Sequence, residues 1–348
     1  MTAYLNAIGT AVPAHDIHDA FLHWAEARVV PREAAVFARM ARRSGINHRW
    51  SVLPPTPGGG SPVATGGFYD AEPLPGTGDR MQVYAREAPA LALAAIRALS
   101  APVDGVTHLV VASCTGFVAP GIDQIIAAEL GLNGVERLLI GFMGCYAAVA
   151  ALRSAHHIVR SQPHARVLVV TVELSTLHLQ SATQIEPLLA MLQFGDGAAA
   201  ALVTGEPRGF AIDAPFAATL PDSAGLIRWD VTDRGFAMHL SGEVPARIAT
   251  ALADPDFAAR VTGDRAVDAW AVHAGGRSIL DAVAGAMALG PHALDASRTV
   301  LAENGNMSSA TLMFVLARLL AGSPVEHGVA LAFGPGLAAE GLHFASAA

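Results

Sequence analysis

Short apolar runs alternate with amphipathic stretches along the first half of the chain. Runs rich in Val, Ile, Leu and Ala, typical of strands, occupy residues 4–10, 108–114, 137–142 and 166–173. Helical spacing of apolar positions marks residues 86–99, 121–130 and 145–160, with further helical stretches before residue 45. Residues 54–78 are rich in Gly and Pro and predict an irregular loop. Strands that alternate with helices predict an α/β fold with a largely parallel sheet.

The second half repeats this pattern after Gly205. Strand-like runs occupy residues 210–216, 229–240 (a pair), 269–273, 299–303 and 329–333. Helices are predicted from residues 245, 277 and 307. Residues 138–153 and 299–318 share one order of buried strand, glycine turn, polar residue and helix. This weak internal repeat predicts two similar α/β halves, residues 1–205 and 206–348, whose strand ends meet where open sheets bind ligands.

The polar residue of the first repeat is Cys145, which follows Gly144 at the predicted start of a helix. Free N–H groups and the helix dipole stabilise a thiolate there, so we expect the pKa of this thiol to be lowered. A cysteine so placed is a candidate nucleophile. The alternative is an inert core residue, because free cysteine is among the most buried residue types.

Composition narrows the class of protein. Of 348 residues, 52% are hydrophobic and 15% are charged, yet no apolar run reaches the ~18 residues of a membrane span. The N-terminus lacks the basic and apolar regions of a signal peptide, so we expect a soluble cytoplasmic protein. Two cysteines cannot form a disulfide scaffold at this length. The formal charge of −8 argues against a nucleic acid partner.

All 22 basic residues are arginine. The absence of lysine from the sequence excludes a lysine Schiff base, a Walker A lysine and a Ser-x-x-Lys nucleophile. No His-Glu-x-x-His or Cys-x-x-Cys spacing occurs, so no metal site is predicted. Residues 194–197 are too short for a dinucleotide fingerprint and precede a strand.

His273 and Asn306 are the other candidate catalytic residues. His273 ends a predicted strand and is followed by Ala-Gly-Gly, and Asn306 follows a glycine at a predicted turn. An imidazolium would pair with a thiolate, and an imidazole N–H together with the Asn amide would stabilise an oxyanion. For a single histidine among 14, a structural role is the alternative.

Five segments together resemble the chalcone synthase-like type III polyketide synthases, in the thiolase-like superfamily, and residues 113–117 resemble the bacterial members more than the plant ones. They are residues 144–148, 194–200, 270–281, 305–310 and 333–337. The resemblance implies a thiolase-like fold, with two similar halves packed as a five-layered αβαβα core, and a homodimer. It also implies that acyl-CoA and malonyl-CoA are substrates, with no cofactor.

The implied reaction begins when Cys145 takes a starter acyl group from coenzyme A. His273 and Asn306 would bind the thioester carbonyl of malonyl-CoA and stabilise the enolate formed as carbon dioxide leaves. The carbanion would attack the acyl group on Cys145. Further rounds and cyclisation would give a pyrone, a resorcinol or a related aromatic product.

The resemblance also implies residues that bind substrate. Phe194 matches a gatekeeping aromatic, with core packing as the alternative. Arg39 and Arg43 match positions that bind coenzyme A phosphates, and their spacing puts them on one helix face. A merely solvated face is the alternative there, and Val36, at a third such position, departs from the pattern.

Further substrate-binding positions lie in the same motifs or near cavity positions of the family. They are Cys114, His178, Trp229, Met238, Gly275, Gly334 and Pro335. Trp229 and the segment 236–245 resemble bacterial alkylpyrone and alkylresorcinol synthases, which favours a fatty acyl starter. Ala119 replaces a methionine that reaches the partner's cavity in plant enzymes, which leaves a contribution from the partner subunit open.

Three rival functions use similar residues. A ketoacyl-carrier-protein synthase of the initiating type would read His-Gln-Ala-Asn where this chain reads His273-Ala-Gly-Gly. A non-catalytic acyl-binding subunit would be expected to lack Cys145 or Asn306. A degradative thiolase would carry a second cysteine near the C-terminus, and no cysteine follows Cys145 in this sequence.

Overall fold

The computed structural model of the protein describes residues 1–263 and 265–347, which contain thirteen strands and eleven α-helices. The strands are β1 (Ala3–Ala11), β2 (His15–Asp16), β3 (Trp50–Ser51), β4 (His108–Ser113), β5 (Glu136–Gly141), β6 (Val167–Leu174), β7 (Asp196–Thr204), β8 (Phe210–Thr219), β9 (Ile227–Thr232), β10 (Gly235–Leu240), β11 (Ala269–Val272), β12 (Gly328–Gly334) and β13 (Ala338–Ser346). The α-helices are α1 (His18–Glu26), α2 (Ala34–Arg43), α3 (Thr77–Arg97), α4 (Ile122–Glu129), α5 (Ala147–Ser161), α6 (Ile185–Leu192), α7 (Val244–Leu252), α8 (Pro255–Thr262), α9 (Arg277–Ala286), α10 (Asp295–Asn304) and α11 (Ser309–Leu320).

Nine strands form one mixed sheet in the order β11-β12-β13-β8-β1-β7-β6-β4-β5. β1 and β8 join its two parts through the antiparallel pairs Ala3 to Ile212, Tyr4 to Ala211 and Leu5 to Phe210. Outward from β1, the next two pairings are antiparallel and the third, between β6 and β4, is parallel. Outward from β8, the same sequence of pairings ends with the parallel pair β12 and β11. The two parts therefore share one strand order. The predicted largely parallel sheet is wrong, because five of the eight strand pairings are antiparallel.

Both faces of the sheet are buried at β4 in one part and at β12 in the other. Leu109 of β4 packs with α3 and α4, whereas its neighbour Val110 packs with α5 and α11 on the opposite face. Ala330 of β12 contributes to the same central cluster, and Val329 packs with α7, α9 and α10. Because strand side chains alternate between faces, the layers follow as helix, sheet, helix, sheet and helix. The predicted five-layered αβαβα order is confirmed.

The predicted strand at residues 299–303 is wrong, because this segment belongs to helix α10. Val300 and Leu301 are buried, on a helix that contacts α9, α11 and β11. The three apolar residues at positions 300–302 fit a strand or a buried helix equally well, and Asp295 in the first turn favours the helix. The internal repeat therefore holds for strand order and fails for the segment before Asn306.

The predicted burial of the strand before Cys145 is also wrong. β5 lies at one end of the sheet and pairs with β4 alone. Its Leu138 and Leu139 side chains are 43% and 45% exposed. Within the part of the chain that the structure describes, no helix is long and apolar enough to cross a bilayer.

Candidate active site

Cys145 lies in a single 3-10 turn, Gly144–Tyr146, between β5 and α5. Gly144 has φ +76°, and a Cβ atom there would lie 2.5 Å from Cδ of Pro335, so glycine is required. A Cβ on Gly334 would lie 3.3 Å from the backbone nitrogen of Cys145. The predicted residues Gly334 and Pro335 therefore contact the turn that carries the thiol.

His273 follows the last residue of β11, and its backbone N–H donates to the Leu331 carbonyl at 2.8 Å. Its ring is buried, and neither ring nitrogen has a hydrogen-bond partner among the described residues. A Cβ on Gly275 would lie 3.4 Å from Nε2, so the absence of a side chain there leaves space beside the ring. Both ring nitrogens therefore lack a partner within the described protein.

The carboxamide of Asn306 is held in one orientation. Its Oδ1 accepts from the Ser308 backbone N–H at 2.8 Å, and its Nδ2 donates to the Gly275 carbonyl at 3.2 Å. A backbone N–H is only a donor, so oxygen must face Ser308. One N–H of Nδ2 remains free to donate to a substrate oxygen.

These side chains line one cavity, which we name the reaction cavity. The predicted site residues on its wall are Cys114, Cys145, Phe194, Trp229, Met238, His273, Gly275, Asn306, Gly334 and Pro335. Sequence reasoning missed other residues that border it, among them Phe142, Ser175, Ile227, Leu240, Ile279, Ser308 and Phe333. The three candidate catalytic residues thus come from two halves of the chain and meet in one largely apolar space.

The electrostatic state of this cavity differs from the sequence expectation. Burial raises the pKa of the Cys145 thiol to about 11, although Ser308 and Asn306 act in the opposite direction. Burial also lowers the pKa of His273 to about 3. Both shifts are opposite in direction to those expected for a thiolate and imidazolium pair, and they favour the neutral side chains in the free protein. At Cys145, the loss of solvation raises the pKa of the thiol by more than the start of the helix lowers it.

Two family profiles match nearly the whole chain. The profile described as chalcone and stilbene synthases, N-terminal domain, matches residues 1–207, and that of the C-terminal domain matches residues 212–348. The chain belongs to the chalcone and stilbene synthase family.

Similar proteins from other organisms agree with this assignment. Type III polyketide synthase A of Arabidopsis thaliana is 33% identical over 273 residues, which cover 72% of this chain and 68% of that protein. The alpha-pyrone synthesis polyketide synthase-like Pks18 of Mycobacterium tuberculosis is 32% identical over 288 residues, 76% of this chain and 72% of that one. These relatives identify this chalcone and stilbene synthase family member as a type III polyketide synthase homologue, and hence as an enzyme of the acyltransferase kind.

Solved structures of the same kind superimpose over the whole chain. The type III polyketide synthase domain of Steely1 from Dictyostelium is 25% identical, with a TM-score of 0.89 and complete coverage of both chains. PKS-I from the brown alga Ectocarpus siliculosus is 27% identical, with a TM-score of 0.87 and coverage of 99% and 98%. The thiolase-like fold predicted from the resemblance is confirmed.

In this chalcone and stilbene synthase family member, a second cavity adjoins the first. Ser175, Phe194, Trp229 and Met238 border both cavities. His178 borders only the second, where its ring stacks on Phe236 with centroids 4.1 Å apart. The structure therefore places His178 away from Cys145.

The backbone of Phe194 is fixed from both sides. The Arg49 guanidinium donates through Nη1 to the carbonyls of Met191 and Phe194, each at 3.0 Å. The Asn306 backbone N–H donates to the Gln193 carbonyl at 2.7 Å. Arg49 is buried and was missed, because an isolated arginine after a polar stretch gives no sequence signal of burial.

Cys114 belongs to a hydrogen-bonded group beneath the reaction cavity. Its backbone N–H donates to the Glu173 carboxylate at 3.0 Å, and its Sγ lies 3.2 Å from the Ser308 hydroxyl. Burial raises the pKa of the Cys114 thiol well above its usual value and that of Glu173 to about 7. Cys114 is therefore a protonated thiol in the cavity wall.

Arg39 and Arg43 lie on α2, and both are exposed. Arg43 borders an outer cavity together with Gln193 and Arg277, whereas Arg39 lies outside that lining. Val36 is 37% exposed on the same helix. Of the two arginines predicted to bind phosphates, only Arg43 therefore borders the outer cavity.

Proposed function

We propose that the protein is a type III polyketide synthase that extends an acyl group on Cys145 with malonyl-CoA. The observation that carries this proposal is the convergence of Cys145, His273 and Asn306 on one reaction cavity. The free imidazole and the oriented carboxamide supply two donors to a developing oxyanion in a dry site.

Starter loading begins from a neutral thiol and a neutral imidazole. His273 accepts the thiol proton as the Cys145 sulfur attacks the acyl-CoA carbonyl. The bond from the carbonyl carbon to the coenzyme A sulfur then breaks, and the proton leaves with the coenzyme A thiol. The neutral imidazole is restored for the next step.

Extension begins when malonyl-CoA loses carbon dioxide. The electron pair of the broken carbon–carbon bond forms an enolate, whose oxygen accepts from the imidazole N–H of His273 and from Nδ2 of Asn306. The enolate carbon attacks the acyl group on Cys145, and the carbon–sulfur bond breaks to release the Cys145 thiolate. Exclusion of water protects the enolate from protonation before it attacks.

We propose a fatty acyl starter and closure to a pyrone, a resorcinol or a related aromatic product. The second cavity supports this starter, because most of its wall is apolar, including Phe21, Leu53 and Val63. The name of the Mycobacterium tuberculosis relative assigns it to alpha-pyrone synthesis, which supports a pyrone product here.

The coenzyme A arm would enter through the outer cavity, with Arg39 and Arg43 at its phosphates and no cofactor required. The protein would act in the cytoplasm as a homodimer. Two copies of the exposed β5 edge would be self-complementary, because a two-fold axis pairs the same surface with itself. Phe117 and Phe142, 56% and 44% exposed, extend this apolar surface beside the reaction cavity.

The test is incubation of radiolabelled malonyl-CoA with acyl-CoA starters of increasing chain length. The wild type is expected to form pyrones or resorcinols from at least one starter. Cys145→Ala is expected to form no product and still decarboxylate malonyl-CoA, because His273 and Asn306 remain. Asn306→Ala is expected to lose decarboxylation by ~10²-fold, the usual loss for one oxyanion donor.

Two outcomes contradict the proposal. Products that form only from malonyl-carrier protein, after one condensation, would identify a ketoacyl-carrier-protein synthase. Binding of acyl-CoA without condensation for any starter would identify a non-catalytic acyl-binding subunit.

A further inference from the structure

The exposed face of α2 combines arginines with apolar side chains. Phe37 and Ala41 are buried and hold the helix against the protein. Val36 and Met40 lie one turn apart on the solvent side, where they are 37% and 46% exposed. The arginines on this helix and in the turn before it are also exposed, namely Arg32, Arg39, Arg42 and Arg43. We name these six exposed residues the α2 patch.

The α2 patch is strongly basic, although the whole chain is acidic. The chain has a formal net charge of −8, whereas residues 30–43 contain four arginines and one acidic residue, Glu33. Arg32 lies 3.7 Å from Glu33, and the three arginines of α2 form no ion pair with acidic side chains in the described part of the chain. At ~0.1 M salt, charges more than ~10 Å away are largely screened. A surface that approaches this face therefore meets local positive charge.

The apolar pair narrows the kind of partner. Val36 and Met40 lie between Arg32 and Arg43 along the chain, so the apolar and basic side chains share one surface. A free phosphate or a nucleic acid backbone would pair with the arginines and leave the apolar side chains in water. An anionic bilayer matches both, because its phosphates bind guanidinium groups and its interface takes up apolar side chains and the stems of arginines.

We propose that the α2 patch docks the protein on an anionic lipid surface. Met40 and Arg43 also border the outer cavity, so docking would place that cavity next to the lipid. The purpose of docking rests on the proposed function, because a long-chain acyl-CoA partitions into membranes through its acyl chain. A docked enzyme would take up this starter directly from the bilayer. The binding itself requires no starter.

The first test is sedimentation of the whole protein with lipid vesicles. The wild type is expected to sediment with phosphatidylglycerol vesicles, less with rising salt, and to stay in solution with phosphatidylcholine vesicles. One basic side chain near an anionic surface strengthens binding about fivefold, so Arg32→Gln and Arg42→Gln are each expected to lower the binding constant by about that factor. Val36→Gln is expected to lower it about threefold, because less apolar surface leaves water.

Two variants serve as matched controls. Arg260→Gln removes the same charge from an exposed position on another helix, α8, and Val36→Leu keeps an apolar side chain in the α2 patch. Both are expected to bind phosphatidylglycerol vesicles at least as strongly as the wild type. Equal losses in Arg260→Gln and Arg42→Gln, or equal binding to both lipids, would overturn the inference. Binding of an acidic acyl carrier protein without binding to vesicles would also overturn it and would identify a protein partner.

Activity measurements keep this inference separate from the proposed function. With a short, water-soluble acyl-CoA, Arg32→Gln and Arg42→Gln are expected to condense malonyl-CoA at the wild-type rate. With a long-chain acyl-CoA held in phosphatidylglycerol vesicles, their rates are expected to fall in parallel with vesicle binding. An unchanged rate from vesicles despite weaker binding would overturn the role of docking in starter uptake. A wild type that binds vesicles and condenses no starter would overturn the proposed function alone.

Discussion

The thiol and imidazole of the reaction cavity share a dry space in which neither ionises easily. Burial raises the pKa of Cys145 to about 11 and lowers that of His273 to about 3. Both shifts favour the neutral form, because transfer from water penalises each charge. In the proposed reaction, the nucleophile is therefore generated by proton transfer during acylation rather than stored as a thiolate.

A pH profile of alkylation measures this state directly. With the pKa of Cys145 near 11, the thiolate fraction and the iodoacetamide rate constant are expected to rise about tenfold per pH unit from pH 7 to 10. Trypsin cleaves after Arg97, Arg137 and Arg153, so Cys114 and Cys145 are read from separate peptides by mass spectrometry.

A plateau below pH 8 would instead show a preformed ion pair. In that case the plateau should disappear in His273→Ala. A continuous rise of the alkylation rate with pH in both the wild type and His273→Ala supports a neutral thiol and a neutral imidazole in the free enzyme.

Sequence reasoning at this scale found which residues meet but not their charge state. Cys145, His273 and Asn306 were selected by residue type and by flanking glycines, and those glycines do make the close approaches at Gly144 and Gly275. The pKa shifts depend on burial from all sides, which local sequence does not encode. Ser175 was missed for a similar reason, since its unpaired hydroxyl is a property of the assembled cavities.

At the scale of elements, the start of α11 stores backbone strain beside Asn306. Ser308 has φ +48° and ψ −127°, a conformation that only glycine adopts readily. Its backbone N–H is the donor that orients the Asn306 carboxamide. The strained residue therefore fixes a proposed catalytic group.

Two substitutions distinguish the effect of backbone strain at Ser308 from the effect of its hydroxyl group. Ser308→Gly and Ser308→Ala both remove the hydroxyl, and only glycine relaxes the backbone. The free energy of unfolding, from urea denaturation, is expected to be higher for Ser308→Gly than for Ser308→Ala by about 1–2 kcal/mol. Equal values in the two variants would show that the conformation carries no strain.

Hydrophobic periodicity predicted some boundaries of helices and strands correctly and others wrongly. The strand at residues 108–114 and the helix from residue 145 were predicted within a few residues of β4 and α5. α3 begins at Thr77, earlier than predicted, where the Asp79 side chain accepts from the Gly76 backbone N–H. Residues 299–303 belong to α10, which packs against β11, whereas the sequence pattern predicted a further strand there.

At the scale of the whole molecule, the sheet ends in an exposed apolar strand. Leu138 and Leu139 of β5 are exposed, and one side of β5 has no strand partner among the described residues. Such an edge promotes pairing with another chain. Sequence pattern predicted the strand but not its place in the sheet, because an apolar run does not distinguish a central strand from an edge strand.

A charge on this edge tests the proposed homodimer. Wild-type protein is expected to elute in size-exclusion chromatography with light scattering at twice the chain mass of 35.8 kDa. Leu139→Glu is expected to elute as a monomer, because pairing would bury the carboxylate.

Val30→Glu is the matched control, because Val30 is 38% exposed between α1 and α2, outside the nine-stranded sheet. It is expected to remain dimeric. A monomeric wild type at micromolar concentration, or dissociation by both substitutions, would contradict an interface at β5.

The hairpin of β9 and β10 forms a two-stranded sheet of its own, outside the nine-stranded sheet. It carries Trp229 and Met238, whereas the backbone around Phe194 is bonded to Asn306. A substitution on the hairpin can change the shape of the cavity without displacing the Asn306 carboxamide. A backbone shift at Phe194 would displace Asn306 as well. For the proposed reaction, the architecture thus separates the part of the protein that shapes the product from the part that positions the Asn306 carboxamide.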